Sequence, residues 1–293
     1  MTDIDDDNNL SNVLDIPAPA ARASQFCPAG QHYDILQNRC VLDAGSKATT
    51  TDGIKIPSLP YDSYTLDPID YMVHSIHKGN GSFRELFTNN MGLMASLGLE
   101  MTPEMEAREL GPDLNSVVFG GYVLCDGPDD EEISAKLGGG VHSASDGGKA
   151  GRCYEINIPL DGASVYIYKE DPHAVYHDTF LKNILDLGPR QGHYTGVIFM
   201  KSNIRWNGED AVRLQAWADC KGMNDAGIFT SANQNWVLIL NAIDTGHWYE
   251  KPWLTGAVPT NSIAMLRVDQ QEAISYDFKF GFCARIAGGP ASY

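Results

Sequence analysis

The stretch I-S-Y-D-F-K-F-G-F-C-A-R-I at 274–286 constrains this chain most. Ile274, Tyr276, Phe278, Phe280 and Phe282 fall on one parity; Ser275, Asp277, Lys279, Gly281 and Cys283 fall on the other. Successive side chains of a strand point to opposite faces, so a period of two over this length is a half-buried β-strand. Long strands with one apolar and one polar face belong to antiparallel sheets stacked as a sandwich. The class expected is all-β.

Other segments extend the pattern. Strands are expected at 117–125, 132–137, 152–160, 164–169, 195–202, 212–219, 236–241 and 263–269. Turn residues separate them: D-G-P-D-D after 125, G-G-G at 138–140, Asp161-Gly162 and Asn207-Gly208. Asp161-Gly162 reads as a tight hairpin, and Asn207-Gly208 as part of a longer loop. Two short helices are expected. One opens at Thr102-Pro103-Glu104 and runs to about 110; the other opens at Asp171-Pro172 and reaches toward 185. No repeat of propeller or solenoid length is present.

The chain divides by composition. Residues 1–24 are Asp/Asn-rich and then Pro/Ala-rich, an extended arm with too little apolar surface to pack alone. Residues 25–45 enclose Cys27 and Cys40 in a short turn-rich loop, read as a local disulfide and so as an oxidising compartment. Residues 46–114 form a connector with leading segments and the first helix, and 115–293 the sandwich. The pairing of Cys125, Cys153, Cys220 and Cys283 stays open.

With 21 basic and 38 acidic residues the net charge is −17. That excludes binding nucleic acid or an anionic bilayer through bulk electrostatics. No apolar run is long enough to span a membrane. The N-terminus, M-T-D-I-D-D-D-N-N, lacks the pattern of a signal peptide. Two routes stay open: a signal already removed, or exit by another way, for example within a virus particle. An extracellular, cell-surface or virion location is expected.

Particular words carry a resemblance. K-L-G-G-G-V-H-S (136–143), G-R-C-Y-E-I-N-I (151–158), K-E-D-P-H-A-V-Y-H-D (169–178), V-R-L-Q-A-W-A-D (212–219), R-V-D (267–269) and the closing aromatic strand resemble the concanavalin A-like jelly-roll group that includes alginate and glucuronan lyases. The Cys27–Cys40 word looks like a small module placed before such domains. The lyase words R-x-E-L and Q-V-H are met by F-R-E-L (83–86) and by Val141-His142 without the Gln, and the Y-x-K-x-G-x-Y word has no match. The resemblance implies a concanavalin A-like jelly-roll β-sandwich that recognises glycan, with or without cleavage of uronate by β-elimination.

The candidate residues follow from that chemistry. His142, which titrates near working pH, would act as base or carboxylate neutraliser, and Tyr154 or Tyr168 as proton donor. Lys136, Arg152, Glu155, Asn157, Lys201, Arg213 and Gln215 are polar strand residues suited to sugar hydroxyls, and Trp217 offers a ring face. Each such residue is, taken singly, ordinary for the solvated face of a sandwich. His173 and His177 share a face only if their segment is helical; H-E-x-x-H is absent, and no metal site is assigned. No cofactor is required; the acidic turn at 126–132 is compatible with calcium. The expected partner is a polysaccharide or other glycan, with neither nucleic acid nor membrane insertion. The alternative is a non-catalytic structural subunit of a surface layer, appendage or virus particle, self-assembling through the arm.

Overall fold

The computed structural model describes residues 31–34, 39–42, 46–50, 52–57, 65–66, 71–73, 78–79, 83–87, 93–97, 116–127, 132–139, 152–162, 165–170, 176–179, 187–246, 263–268, 275–287 and 291–292. The expected arm at 1–24, Cys27, the helix at 102–110, His142 and His173 lie outside them.

Twenty strands are described. The first seven are β1 (Gln31–Asp34), β2 (Arg39–Leu42), β3 (Ser46–Thr49), β4 (Lys55–Pro57), β5 (Thr65–Leu66), β6 (Tyr71–Val73) and β7 (Lys78–Gly79). Next come β8 (Phe83–Phe87), β9 (Leu93–Leu97), β10 (Val117–Asp126), β11 (Glu132–Gly139), β12 (Arg152–Pro159), β13 (Tyr166–Glu170) and β14 (Tyr176–Thr179). The last six are β15 (Thr195–Trp206), β16 (Glu209–Asp219), β17 (Val237–Asp244), β18 (Ile263–Val268), β19 (Ser275–Ala287) and β20 (Ala291–Ser292).

Two large sheets hold most of them. Sheet one runs β17-β16-β15-β10-β19, with β5, β6 and β7 on the far side of β19 and β20 beside β15; sheet two runs β14-β13-β12-β11-β18-β8-β9. Within sheet one β10 pairs with β19, and within sheet two β11 pairs with β18, all antiparallel. The β10–β11 ribbon and the β18–β19 ribbon therefore cross from one sheet to the other side by side. That wrapping makes a jelly roll. The fold is the all-β jelly-roll sandwich expected from the sequence.

The inner faces meet in one core. It contains Val117, Phe119, Val123, Val197, Phe199, Val212 and Leu214 of sheet one, and Ile133, Ala135, Leu137, Tyr154, Ile156 and Ile167 of sheet two. These residues alternate along their strands, which is the reason the pattern was visible. Residues 65–97, expected in a connector, supply β5–β9 to both sheets. Within the helix expected from Asp171, the described residues Tyr176–Thr179 form β14 instead, which pairs with β13 from Glu170↔Tyr176 to Ile167↔Thr179. His177 thus sits on a strand, not on a helical face shared with His173.

Two local features depart from the sequence expectation. β15 and β16 are joined only by Asn207 and Gly208, since Trp206 pairs with Glu209. Both turn residues have positive φ, 50° and 85°. This is the type I′ geometry whose twist matches a hairpin, so Asn-Gly makes a tight turn there and not a longer loop. In β19 the pairing with β10 shifts between Gly120↔Phe282 and Tyr122↔Lys279. Phe280, with φ 58°, is the added residue of a β-bulge. The bulge resets the parity. Tyr276, Phe278 and Cys283 enter the inner core, whereas Phe282, Ala284 and Ile286 join a second apolar cluster on the outer face of sheet one. The single aromatic row read from the sequence is therefore two rows on opposite faces.

Candidate functional site

The outer face of sheet two carries a polar grid across three strands. Ile133, Ala135 and Leu137 point inward, so Ser134 and Lys136 of β11 point out, as do Cys153, Glu155 and Asn157 of β12 and Tyr166, Tyr168 and Glu170 of β13. Register aligns them in rows: Ser134–Asn157–Tyr166, Lys136–Glu155–Tyr168 and Gly138–Cys153–Glu170.

Charge is concentrated in the middle of the grid. Lys136 Nζ lies 2.6 Å from Glu170 Oε2 and 3.6 Å from Glu155 Oε2. The first contact is a tight ion pair and the second a looser electrostatic one. All three side chains are buried. The Cys153 thiol donates to Glu170 Oε2 at 3.0 Å. Burial raises the thiol pKa well above its ordinary value, Lys136 opposes that shift, and the two glutamates add to it. Cys153 is therefore a protonated donor and not a thiolate nucleophile. Beside this cluster Tyr166 and Tyr168 stack at 6.2 Å with their rings 21° apart, and both are only half-buried. Asn157 Nδ2 donates to Glu132 Oε1 at 2.6 Å.

The structure distributes the expected site residues over three places. Lys136, Glu155, Asn157 and Tyr168 come together in the grid. Tyr154 and Lys201 lie in the sandwich interior. Tyr154 is fully buried and its hydroxyl donates to Asp244 Oδ2 at 2.5 Å. Lys201 pairs in register with Val117 and Leu214 of the core and is also fully buried. A tyrosine held there has no route for its proton to a ligand outside. Arg213, Gln215 and Trp217 share one face as expected, but it is the outer face of sheet one, on the far side of the sandwich from the grid. They are 2%, 1% and 2% exposed, as buried as Lys136, Glu155 and Glu170 of the grid, and what the grid has beside it is the half-buried Tyr166–Tyr168 pair. The side chain of Arg152, like His142, lies outside the described residues.

The cover over sheet one is non-local. Ile54 and Ile56 of the β3–β4 region and Met223, Phe229 and Trp236 of the loop after β16 pack on Tyr122, Ile198 and Trp217. Asp219 organises the loop by accepting from Tyr122 OH at 2.6 Å and from the backbone N–H groups of Lys221 and Asn235 at 2.8 and 3.2 Å. Gln234 ties it to the β3–β4 turn, donating to Gly53 O at 2.8 Å and accepting from Lys55 N at 2.9 Å.

Sequence reasoning did not single out Lys169 and Asp244 as partners. Lys169 Nζ pairs with Asp244 Oδ2 at 2.8 Å, which joins β13 of sheet two to β17 of sheet one beside the Tyr154 hydroxyl. The signal was present: Lys169 continues the parity of Val165 and Ile167, which puts it inside. Among the described residues no group of histidines, cysteines and carboxylates is arranged to hold a metal ion. Cys125, Cys153, Cys220 and Cys283 take part in no disulfide. The Cys27–Cys40 pairing lies outside the described residues.

No protein-family model matches the chain, and no curated protein matches it by sequence. Solved structures do show likeness. A carbohydrate-binding module, CBM66 of Bacillus subtilis, is 11% identical over 75% of this chain and 94% of its own, with a TM-score of 0.33. A legume lectin-like domain of Entamoeba histolytica is 9% identical over 74% of this chain and 85% of its own, also at 0.33. The CBM40 module of a Ruminococcus gnavus sialidase, bound to α2,3-sialyllactose, is 12% identical over 75% of this chain and 92% of its own, at 0.26. At these TM-scores the function has to be argued from this chain's own residues.

Proposed function

We propose that this protein recognises glycan through the outer face of sheet two. The observation that carries the reading is the half-buried Tyr166–Tyr168 stack beside an ordered polar grid. Aromatic faces accept the C–H face of a sugar ring, and neighbouring fixed polar groups take its hydroxyls. The charges also select. Lys136 is engaged by two carboxylates, and the whole chain carries −17. A polyanion would meet repulsion there, so neutral glycan is the favoured class over uronate.

Cleavage by β-elimination extends this reading only through His142 as base and Tyr168 as donor, since Tyr154 is locked in the core. Extracellular, cell-surface or virion placement and self-assembly through residues 1–24 belong to the same proposal, and calcium is not needed for it.

Affinity electrophoresis against neutral and acidic polysaccharides tests it. The protein is expected to be retarded by a neutral polysaccharide, and Tyr168→Ala to run as it does in an empty gel. Retardation left intact in Tyr168→Ala would move the site elsewhere. Appearance of ultraviolet-absorbing unsaturated uronate on incubation with alginate or glucuronan would establish the lyase extension.

A further inference from the structure

Asp244, at the end of β17 in sheet one, is bonded to two strands of sheet two at once. Its Oδ2 accepts from Tyr154 OH of β12 at 2.5 Å and from Lys169 Nζ of β13 at 2.8 Å. Its Oδ1 accepts from Gly246 N at 2.8 Å, so its own chain orients the carboxylate. Tyr154 and Lys169 are register partners on neighbouring strands. All three side chains are buried. Apolar contacts between two sheets are non-directional and leave room for sliding. Hydrogen bonds to a charged group are short and directional, and two of them converging on one oxygen fix where β12 and β13 sit against β17.

The same two strands carry the grid on their other face. In a strand, the residues on either side of an inward one point outward. Tyr154 lies between Cys153 and Glu155, and Lys169 between Tyr168 and Glu170. The carboxylate of Asp244 thus grips, from inside, the backbone that presents Tyr168 and Glu170 outside. Among the described strands β13 has only the four-residue β14 beyond it, so a brace from the other sheet acts where lateral support is thin. We infer that Asp244 is a positioning residue for the Tyr166–Tyr168 pair, an inference that rests on the glycan reading above. It touches no ligand. It acts through Tyr154 and Lys169, and keeps the two rings spaced and stacked before a sugar arrives. Groups ordered in advance bind more tightly, because less freedom is lost on association.

The test separates position from stability. The triple variant Tyr154→Phe/Lys169→Met/Asp244→Leu exchanges the buried polar cluster for apolar side chains of similar size, an exchange that is often neutral or stabilising. Its urea midpoint should stay near that of wild type. Its affinity for the neutral polysaccharide that retards wild type should fall about tenfold, as two rings lose their fixed spacing. Fluorine NMR of protein labelled with fluorotyrosine reads the rings without any ligand. The resonances of Tyr166 and Tyr168, assigned through Tyr166→Phe and Tyr168→Phe, should shift in the triple variant. Those of Tyr122 and Tyr194, on sheet one, should stay. Tyr154→Phe alone removes the β12 arm and keeps the Lys169–Asp244 pair; it should shift the same two resonances by less, and it decides the question if the triple variant does not fold. Resonances of Tyr166 and Tyr168 that stay in place overturn the positioning role, even where the urea midpoint falls, since the cluster then serves the fold alone. A folded triple variant that binds as tightly as wild type overturns it as well, and the glycan reading then stands or falls on Tyr168→Ala. If the resonances shift but no polysaccharide retards wild type, the brace on the two rings is upheld and the glycan reading is what falls.

Discussion

The two outer faces of the sandwich are built from strands with the same alternation and both bury most of their side chains, yet they do so with different chemistry. Sheet one turns Tyr122, Ile198, Trp217 and Phe282 outward, and the chain returns to cover them with Ile54, Ile56, Phe229 and Trp236. The aromatic rings interlock, with Tyr122 5.6 Å from Phe229 and 5.8 Å from Trp236. Sheet two turns Lys136, Glu155 and Glu170 outward and satisfies them laterally, strand to strand. Its aromatic pair, Tyr166 and Tyr168, stays half-buried. A polar-and-aromatic strand face is thus not by itself a binding surface. What distinguishes the faces is an apolar cluster over sheet one and a half-buried tyrosine pair beside ion-paired charges on sheet two.

The largest test of that contrast is Trp217→Ala. A fully packed tryptophan lost from the cluster should cost about 3–5 kcal/mol, read as a drop in the urea midpoint. The sequence alone suggested a different outcome, a stable protein with weaker sugar binding. A variant that keeps its stability but loses glycan would reopen sheet one as the site.

How far the sequence reached is visible in such residues. Alternation together with turn residues located nine of the ten strands from β10 to β19, and β14 lies where a helix was expected. Alternation failed where a single residue changes the parity: Phe280 in the bulge sends Phe282 and Ile286 to the other side from Phe278. It could not tell Lys136 on sheet two from Arg213 on sheet one, since face is a property of sheet order and not of a strand. It also could not see the cover over Trp217, whose pieces lie more than 160 residues away in one case, at Ile54 and Ile56. The I′ turn at Asn207-Gly208 was legible in principle and was missed only because the flanking strands were expected to be shorter.

Alkali distinguishes the two faces next. On sheet one's outer side burial raises the Tyr122 phenol first, with Asp219 adding to it. Tyr194 is raised by burial and by its 2.5 Å bond to Asp277. On sheet two the raised group is the Cys153 thiol. Each has a folded pKa above its unfolded one, so its contribution is full below the unfolded value and is lost as pH rises past it. The loss should begin near 9.0, the ordinary value of the thiol, and steepen near 10.0, that of the phenols. Each group that ionises only in the unfolded chain adds a slope of up to about 1.4 kcal/mol per pH unit. Urea midpoints from pH 7 to 10.5 should show Cys153→Ala reducing the earlier part, which the Cys220 thiol shares, and Tyr122→Phe reducing the later part, which Tyr194 and Tyr276 share. A flat profile in wild type would mean that neither face is as closed as the packing indicates.

The smallest effect sharpens the comparison most. Tyr166 is half-buried and stacks on Tyr168 at 6.2 Å. Such a pair adds about 0.5–1.5 kcal/mol beyond area burial, and partial exposure reduces what truncation removes. Tyr166→Ala should therefore cost about 1 kcal/mol of stability, several times less than Trp217→Ala, while glycan retardation falls clearly. The ratio of the two losses is the informative number. If Tyr166→Ala destabilises as much as Trp217→Ala, the outer face of sheet two is packed as tightly as that of sheet one and offers no ring to a sugar. If it barely alters the urea midpoint yet abolishes retardation, the tyrosine pair is held in place for a ligand and not for the fold.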